Sequence, residues 1–279
     1  MKNVFLTGST GFIGRNILPL LNKRYTISAP ARLELDLCDV QAVRQYLQKG
    51  QFDTVIHLAN PTWVAHELLQ SSLVEHCLRV FTPFVNYAEL YGKMIYLGSG
   101  AEYGKHRDIS LIQEEFFGEE FPRDSYGFSR FLMSKLAEKH DNIVNLRLFA
   151  CHGPGDPPHK LIPSVIKQAR EGNIIMLHQD CWFDYLYVTD IVDVLIHFIE
   201  NENNYPNYNL CSGERLRISS IAEEVCRQMG VSTEIIYKED GFNFEYTGSN
   251  SRLLAEIPHW KPMKMKDSIT TILCKEGII

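Results

Sequence analysis

The chain has 279 residues, of which 45% are hydrophobic and 22% charged, and its formal net charge at pH 7 is −6. This composition is typical of a globular protein, and the negative charge gives no basic field that would attract nucleic acid or an anionic membrane. No apolar run reaches the roughly 18 to 20 residues of a membrane-spanning helix. Because the first predicted strand begins almost at the initiator Met, we expect no signal peptide and a cytoplasmic location.

The cysteines have no CxxC spacing, and there are seven of them: Cys38, Cys77, Cys151, Cys181, Cys211, Cys226 and Cys274. An odd, dispersed set indicates reduced thiols, so neither a disulfide framework nor a metal site is expected.

Strand-like apolar runs alternate with helical stretches through the first 150 residues. The predicted strands are Val4–Thr7, Tyr25–Ala29, Thr54–Leu58, Met94–Leu97 and Val144–Leu148. The predicted helices are Arg15–Leu21, Val40–Lys49, Ser72–Tyr91 and Tyr126–His140. This alternation predicts βαβ units and an α/β fold with a doubly wound parallel Rossmann sheet.

The pattern changes after Gly153. The later predicted elements are Leu161–Glu171, Tyr185–Val188, a helix from Asp190, Tyr208–Leu210, Ile218–Met229 and Met265–Glu276. We therefore expect a dinucleotide-binding domain at 1–152, to which 183–202 returns. A smaller α/β substrate lobe, from 153–182 and 203–279, would cover the carboxyl ends of the strands, where ligands bind in such sheets.

A glycine-rich segment, residues 7–14 with the sequence Thr-Gly-Ser-Thr-Gly-Phe-Ile-Gly, directly follows the first strand. Glycines at a strand-to-helix turn let the backbone approach a pyrophosphate, and the amides of the helix N-terminus face its charge. The segment alone is weak evidence, because an ordinary turn can have the same glycines.

Further motifs follow in order along nearly the whole chain. They are Asp36-Leu37-Cys38-Asp39, His57-Leu58-Ala59-Asn60, the segment 97–104, Tyr126-Gly127-Phe128-Ser129, the segment 184–190 and Trp260-Lys261-Pro262. With these motifs the chain resembles the extended short-chain dehydrogenases/reductases, the NAD-dependent epimerase/dehydratase family. Within that family it is most similar to the 4-keto sugar reductases of the GDP-fucose synthase type.

The resemblance implies a dinucleotide site formed by Gly8, Thr10, Gly11, Phe12, Ile13, Gly14, Arg32, Asp36, Leu37, Leu58, Ala59, Asn60 and Arg130. NAD sites usually have an acidic residue at the end of the second strand, but here the sequence reads Ala29-Pro30-Ala31-Arg32. A guanidinium suits a 2′-phosphate, so we expect NADPH. The alternative is that Arg32 is a solvated loop cation.

The resemblance also implies a catalytic group of Ser99, Tyr126 and Arg130. The serine and the tyrosine would both hydrogen-bond a carbonyl oxygen, and Tyr126 would transfer the proton. Structural alternatives are a turn cap for Ser99 and a packing role for Tyr126. The family has Lys where this chain has Arg130, and a guanidinium cannot give up its proton. We therefore expect activity with a higher pH optimum.

The residues after Ser99 bear on the reaction type. The 4,6-dehydratases of the family have acids there, but this chain has Gly100 and Ala101, and Glu102 is one position late. GDP-fucose synthases have a Cys at the place of Ala101, which serves in epimerisation. A simple 4-keto reduction is therefore expected, with substrate contacts from Ala101, Glu102, His159, Lys160 and Arg252.

Position 183 departs from the family, because it is Phe where many members have an Arg that contacts the nucleotide diphosphate. Either Lys160, Lys167 or Arg252 supplies this charge, or the substrate is not a nucleotide sugar. The expected function is NADPH-dependent reduction of a nucleotide-linked 4-keto-6-deoxy sugar in surface-polysaccharide or deoxysugar biosynthesis. An NAD-dependent 4-epimerase, a reductase of another carbonyl compound and a weakly active dinucleotide-binding regulator are the alternatives.

A homodimer is also expected, because one face of Phe81–Tyr91 and one face of Phe128–Leu136 are apolar. Such faces pair across a two-fold axis as a four-helix interface. Burial of the same faces against the sheet is the alternative.

Overall fold

The computed structural model describes residues 1–61 and 71–279, in which strands and helices alternate. The strands are β1 (Asn3–Thr7), β2 (Thr26–Ser28), β3 (Thr54–His57), β4 (Lys93–Ser99), β5 (Ile109–Ile112), β6 (Ile143–Leu148), β7 (Ala150–His152), β8 (Ile175–Leu177), β9 (Trp182–Phe183), β10 (Tyr185–Tyr187), β11 (Asn207–Leu210), β12 (Leu216–Arg217), β13 (Ile235–Tyr237) and β14 (Tyr246–Gly248). The helices are α1 (Phe12–Leu21), α2 (Val40–Gly50), α3 (Ser71–Asn86), α4 (Ser125–Ala137), α5 (Leu161–Arg170), α6 (Asp190–Glu200), α7 (Ile218–Gln228), α8 (Ser251–Glu256) and α9 (Met265–Lys275).

A parallel sheet of six strands forms the centre of the fold, in the order β2-β1-β3-β4-β6-β11. The expected doubly wound Rossmann architecture is confirmed. From β1 the chain passes to β2 on one side and then returns to β3 on the other. The carboxyl ends of β1 and β3 therefore form the switch point at which open α/β sheets bind ligands.

Both faces of the sheet are covered by helices. Val4 and Ile56 point into the core beneath α1 and α6, whereas Phe5 and Val55 point into the core beneath α2, α3 and α4. Because successive strand residues point to opposite faces, strands that are covered on both faces are continuously apolar. This burial explains why the strands of the first half are so readily identified from sequence.

The second layer contains a four-stranded sheet, β12-β9-β14-β5, and a separate core between α5, α7 and α9. Three strands pair across the division that the sequence predicts. Strand β11, assigned to the lobe by its position in the sequence, is an edge strand of the central sheet. Strand β5 from the first half pairs with β14 in the second layer. Strand β10 pairs with β7, although α6 does return to the central sheet as expected.

The apolar faces expected to form a dimer interface lie inside the protomer. Phe81 and Phe84 of α3 are fully buried, as are Phe131 and Met133 of α4, whereas Phe128 is 37% exposed. The alternative reading, burial within the chain, is therefore the correct one for these side chains. None of the helices formed by residues 1–61 and 71–279 is both long and apolar enough to cross a bilayer.

Candidate active site

The glycine-rich turn between β1 and α1 can hold only glycine at two positions. Gly8 has a φ of +71°, and a Cβ on it would lie 2.6 Å from the Ala59 backbone nitrogen. A Cβ on Gly14 would lie 2.3 Å from the carbonyl oxygen of Gly8. The turn therefore packs directly on the residues after β3. The N-cap residue of α1 is Gly11, which has no side chain that could cap the helix N-terminus. Such a cradle fits a pyrophosphate.

A cleft of about 350 Å³ opens at the switch point. Nine residues of the expected dinucleotide site line it, namely Gly8, Thr10, Gly11, Arg32, Asp36, Leu37, Leu58, Ala59 and Asn60. Phe12, Ile13 and Gly14 form the first turn of α1 behind them. The Thr7 hydroxyl joins the two strand ends, because it accepts a hydrogen bond from the Ala59 N–H at 3.1 Å.

The loop after β2 presents a cation to the cleft. Arg32 is exposed and lines the cleft. The neighbouring acid Glu34 does not, because its carboxylate accepts a hydrogen bond from the Ala31 N–H at 2.6 Å. Asp36 lines the cleft and accepts a hydrogen bond from the Cys38 N–H at 3.0 Å. The Arg32 guanidinium therefore suits an anionic group on the ribose of the dinucleotide.

Ser99 is the last residue of β4, at the same edge of the sheet as the cleft. Its hydroxyl oxygen accepts a hydrogen bond from the Ala101 N–H at 3.1 Å, and Glu102 accepts one from the Ser99 N–H at 2.9 Å. The two bonds form a capping box at the start of a short 3-10 turn over 100–103. Ser99 therefore caps the 3-10 turn, which is the structural alternative given above, and its side chain lies at the carboxyl end of β4.

Glu102 and Ala101, which were predicted to bind substrate, are both buried in the structure. Both Glu102 and Arg147 have no exposed side-chain surface, and the Arg147 Nε donates to the Glu102 carboxylate at 2.7 Å. Asn145 donates to the same carboxylate at 3.1 Å. Ala101 is 1% exposed. The 3-10 turn directs both side chains inward, away from the strand edge.

Helix α4 brings Tyr126 towards Ser99. The Asp124 carboxylate caps the helix by accepting a hydrogen bond from the Gly127 N–H at 2.7 Å. Gly127 packs so closely on the 3-10 turn that a Cβ on it would lie 2.8 Å from the Ala101 carbonyl oxygen. The first turn of α4, which contains Tyr126, therefore lies against the turn that begins at Ser99.

Arg130 lies one helical turn after Tyr126, and its guanidinium carbon is 5.1 Å from the centre of the Tyr126 ring. The side chain is buried, yet within the described part of the chain its Nε and Nη2 have no hydrogen-bond partner. Burial, together with the Arg130 charge, lowers the pKa of His57 to about 3, so this neighbour at the end of β3 is neutral. Buried donors without partners are costly and indicate a missing ligand. Ribose hydroxyls of a dinucleotide would fit them.

Two further residues, Tyr246 and Lys105, lie in this region, although the sequence analysis did not single them out. Tyr246 of β14 is buried, and a Cβ on Gly100, the residue after Ser99, would lie 2.7 Å from its hydroxyl oxygen. The Lys105 ammonium lies 4.7 Å from the centre of the Tyr246 ring. Burial lowers the pKa of Lys105, the charge of Asp124 opposes this shift and that of Lys160 adds to it. No local motif marks Tyr246, because its strand belongs to the second layer and only the packing of that layer brings it to the turn after Ser99.

Two of the other residues predicted to bind substrate, His159 and Lys160, are neighbours at the start of α5. Lys160 begins α5 beside Asp156, whose pKa is raised by burial to about 7, although Lys160 opposes this shift. His159 is exposed in the loop before Lys160.

Arg252, also predicted to bind substrate, is already paired with acidic side chains. Its guanidinium pairs with Glu115 and lies 3.7 Å from the Glu114 carboxylate. It also donates to the Asn207 side chain at the start of β11, at the opposite edge of the sheet from Ser99. Lys167 lies 3.9 Å from Glu171 on the exposed face of α5.

Comparisons with known proteins agree with this arrangement. The ADP-L-glycero-D-manno-heptose-6-epimerase of Pseudomonas aeruginosa is 24% identical over 267 residues, which cover 83% of this chain and 80% of that protein. The GDP-6-deoxy-D-mannose reductase of the same species is 25% identical over 296 residues, which cover 98% of this chain and 96% of that protein. A solved structure of RMD from Pseudomonas aeruginosa complexed with NADPH superimposes with a TM-score of 0.81 at 24% identity, and covers 98% of this chain and 99% of that one.

The sequence model of the NAD dependent epimerase/dehydratase family matches residues 4–211, which include the glycine-rich turn, Ser99, Tyr126 and Arg130. The match therefore spans the central sheet from β1 to β11 and confirms the resemblance. The chain belongs to the NAD dependent epimerase/dehydratase family.

Proposed function

We propose that the protein reduces the 4-keto group of a nucleotide-linked 4-keto-6-deoxy sugar with NADPH, in deoxysugar or surface-polysaccharide biosynthesis. The observation that supports this proposal is the packing of the first turn of α4 on the turn after Ser99, where a Cβ on Gly127 would lie 2.8 Å from the Ala101 carbonyl oxygen. The proposal also places the protein in the cytoplasm, a reducing compartment in which thiols stay unpaired.

The chemistry needs a hydride donor, a proton donor and a group that polarises the carbonyl. A bound NADPH would supply the hydride. Ser99 and Tyr126 would both hydrogen-bond the keto oxygen, and the Tyr126 phenol would transfer its proton as the alkoxide forms. The Arg130 cation beside the Tyr126 ring stabilises the negative charge that this transfer leaves on the phenol. Its free Nε and Nη2 would hold the ribose of the cofactor.

The turn after Ser99 supports a reductase over a dehydratase. Elimination needs a general acid and a base beside the ketone, and Ala101 has no ionisable group. Glu102 is fully buried and its charge is paired with Arg147. In the same way, the turn provides no base that would invert a carbon next to the ketone. Reduction needs no further acid or base, because Tyr126 would supply the proton and Ser99 would hydrogen-bond the keto oxygen.

A panel of GDP-, dTDP- and CDP-linked 4-keto-6-deoxy sugars tests the proposal. We expect NADPH absorbance to fall with one of them, and mass spectrometry to show a product that has gained two hydrogens. Interconversion of two 4-hydroxy sugars with tightly bound NAD would instead show a 4-epimerase. Binding of NADPH without oxidation by any ketosugar would show a regulator.

Arg32 is expected to decide the choice of dinucleotide. The Arg32→Asp variant should raise the KM for NADPH about 10- to 100-fold, the worth of a charged hydrogen bond, and should improve the use of NADH. Lys23→Asp is the control with the same change of charge, because Lys23 follows the far end of α1. An unchanged KM in Arg32→Asp would mean that Arg32 is only a solvated loop cation.

A further inference from the structure

Arg147 lies on β6 and is one of the largest side chains that the fold buries completely. Its Nε donates a hydrogen bond to the Glu102 carboxylate at 2.7 Å, and its Nη1 donates to the Tyr103 hydroxyl oxygen at 3.4 Å. Both acceptors belong to the 3-10 turn that Ser99 caps. One side of the guanidinium is therefore fastened to the turn that begins after Ser99.

The Glu102 carboxylate extends this contact to Ser99. Its Oε1 accepts a hydrogen bond from the Ser99 N–H at 2.9 Å, while its Oε2 accepts the one from Arg147. A Cβ on Gly98 would lie 2.3 Å from Glu102 Oε1, so only glycine lets the carboxylate lie against the end of β4. Both side chains of the ion pair are fully buried. The Ser99 backbone therefore cannot shift without disturbing two buried charges, which is costly.

The same guanidinium also bonds the helix that carries Tyr126. Its Nη2 donates to the Ser134 hydroxyl oxygen at 3.2 Å. Ser134 lies two helical turns after Tyr126 on α4, with Arg130 between them, and residues four apart lie on one face of a helix. Arg147 thus fixes this face of α4 relative to the turn after Ser99.

The shape of the guanidinium suits a link between two elements. It is planar and presents its N–H donors in fixed directions, whereas a lysine ammonium is a point charge on a flexible stem. Each nitrogen of Arg147 has an acceptor, on the 3-10 turn or on α4. Its Nη1 has a further acceptor in the Asn207 side chain at 2.9 Å, on β11, which lies on the side of β6 away from β4.

We propose that Arg147 is a positioning residue that fixes the separation between Ser99 and Tyr126. It acts through its bonds to Glu102 on one side and to Ser134 on the other. This inference rests on the proposed function, because both hydroxyls must reach one ketone oxygen in that reaction. A displacement of about 1 Å at such a site can cost about 100-fold in rate. Arg147 itself is buried behind the site and does not touch the ketone.

The substitutions Ser134→Ala and Asn207→Ala form a matched pair that tests this. Each removes an oxygen that accepts one hydrogen bond from Arg147 and a second one at 3.0 Å, from Asn145 or from Arg252 respectively. Ser134→Ala should lower kcat about tenfold with the KM for NADPH unchanged, because α4 is no longer fixed to the turn. Asn207→Ala should keep the kcat of the unmodified protein.

Thermal unfolding of the two variants separates positioning from stability. Both should lower the Tm by a similar amount, about 2–4 °C, because each loses bonds to a buried arginine. A role in stability alone would then affect the two values of kcat alike. Equal values of kcat in the two variants would therefore overturn the inference.

Crystal structures of the same variants give a readout that needs no turnover. We expect the distance from Ser99 Oγ to Tyr126 Oη to change by about 0.5–1 Å in Ser134→Ala and to stay the same in Asn207→Ala. An unchanged distance in Ser134→Ala would overturn the inference. If the unmodified protein reduces no ketosugar, the proposed function fails, while this distance still decides whether Arg147 positions the two side chains.

Discussion

Replacing Tyr126 by Phe is expected to lower kcat for ketosugar reduction by about 10²- to 10⁴-fold, the usual contribution of a general acid. The ring would still pack beneath the Arg130 guanidinium, which is 5.1 Å from its centre. NADPH binding, measured by fluorescence titration, should therefore change little. Steady-state kinetics under saturating substrate would measure the loss of the chemical step.

The control for this substitution is Tyr205→Phe, because Tyr205 is exposed and remote from Ser99. Its kcat should be unchanged. A Tyr126→Phe variant that retained more than a tenth of the activity would contradict the assignment of Tyr126 as proton donor. Another group, or water, would then have to protonate the alkoxide.

Replacing Glu102 by Gln is expected to reduce the free energy of unfolding by about 3–5 kcal/mol. The reason is that the Arg147 guanidinium, with no exposed side-chain surface, would remain charged without a counter-ion. Urea denaturation measures the change. Activity below the unfolding transition should fall less than in Tyr126→Phe, because Glu102 lies behind the site and not in it.

Glu138→Gln is the matched control for the buried pair. Glu138 forms an ion pair of 2.9 Å with Lys135, but both side chains are more than a third exposed. Water screens such pairs, so the loss should stay below about 1 kcal/mol. A Glu102→Gln protein that was as stable as this control, yet inactive, would show that Glu102 takes part in the chemistry after all.

The residues predicted to bind substrate show what the sequence alone leaves open. Glu102 and Ala101 were expected at the site because they follow Ser99 closely, but a 3-10 turn rotates each side chain away from an extended direction. Arg252 is one of the residues predicted to supply the positive charge that is absent at position 183. Its acidic partners Glu114 and Glu115 are far away in sequence, and local patterns cannot reveal that a cation is already paired.

The sequence by itself determined the Rossmann sheet, the glycine-rich turn and the family. These features depend on local periodicity and on backbone geometry that only glycine allows, as at Gly8 and Gly14. Only the tertiary structure decided that β11 belongs to the central sheet, that Glu102 is buried against Arg147 and that the Tyr246 hydroxyl lies beside Gly100. Contacts between residues far apart in the chain depend on how the layers pack, and neither propensity nor spacing encodes that packing.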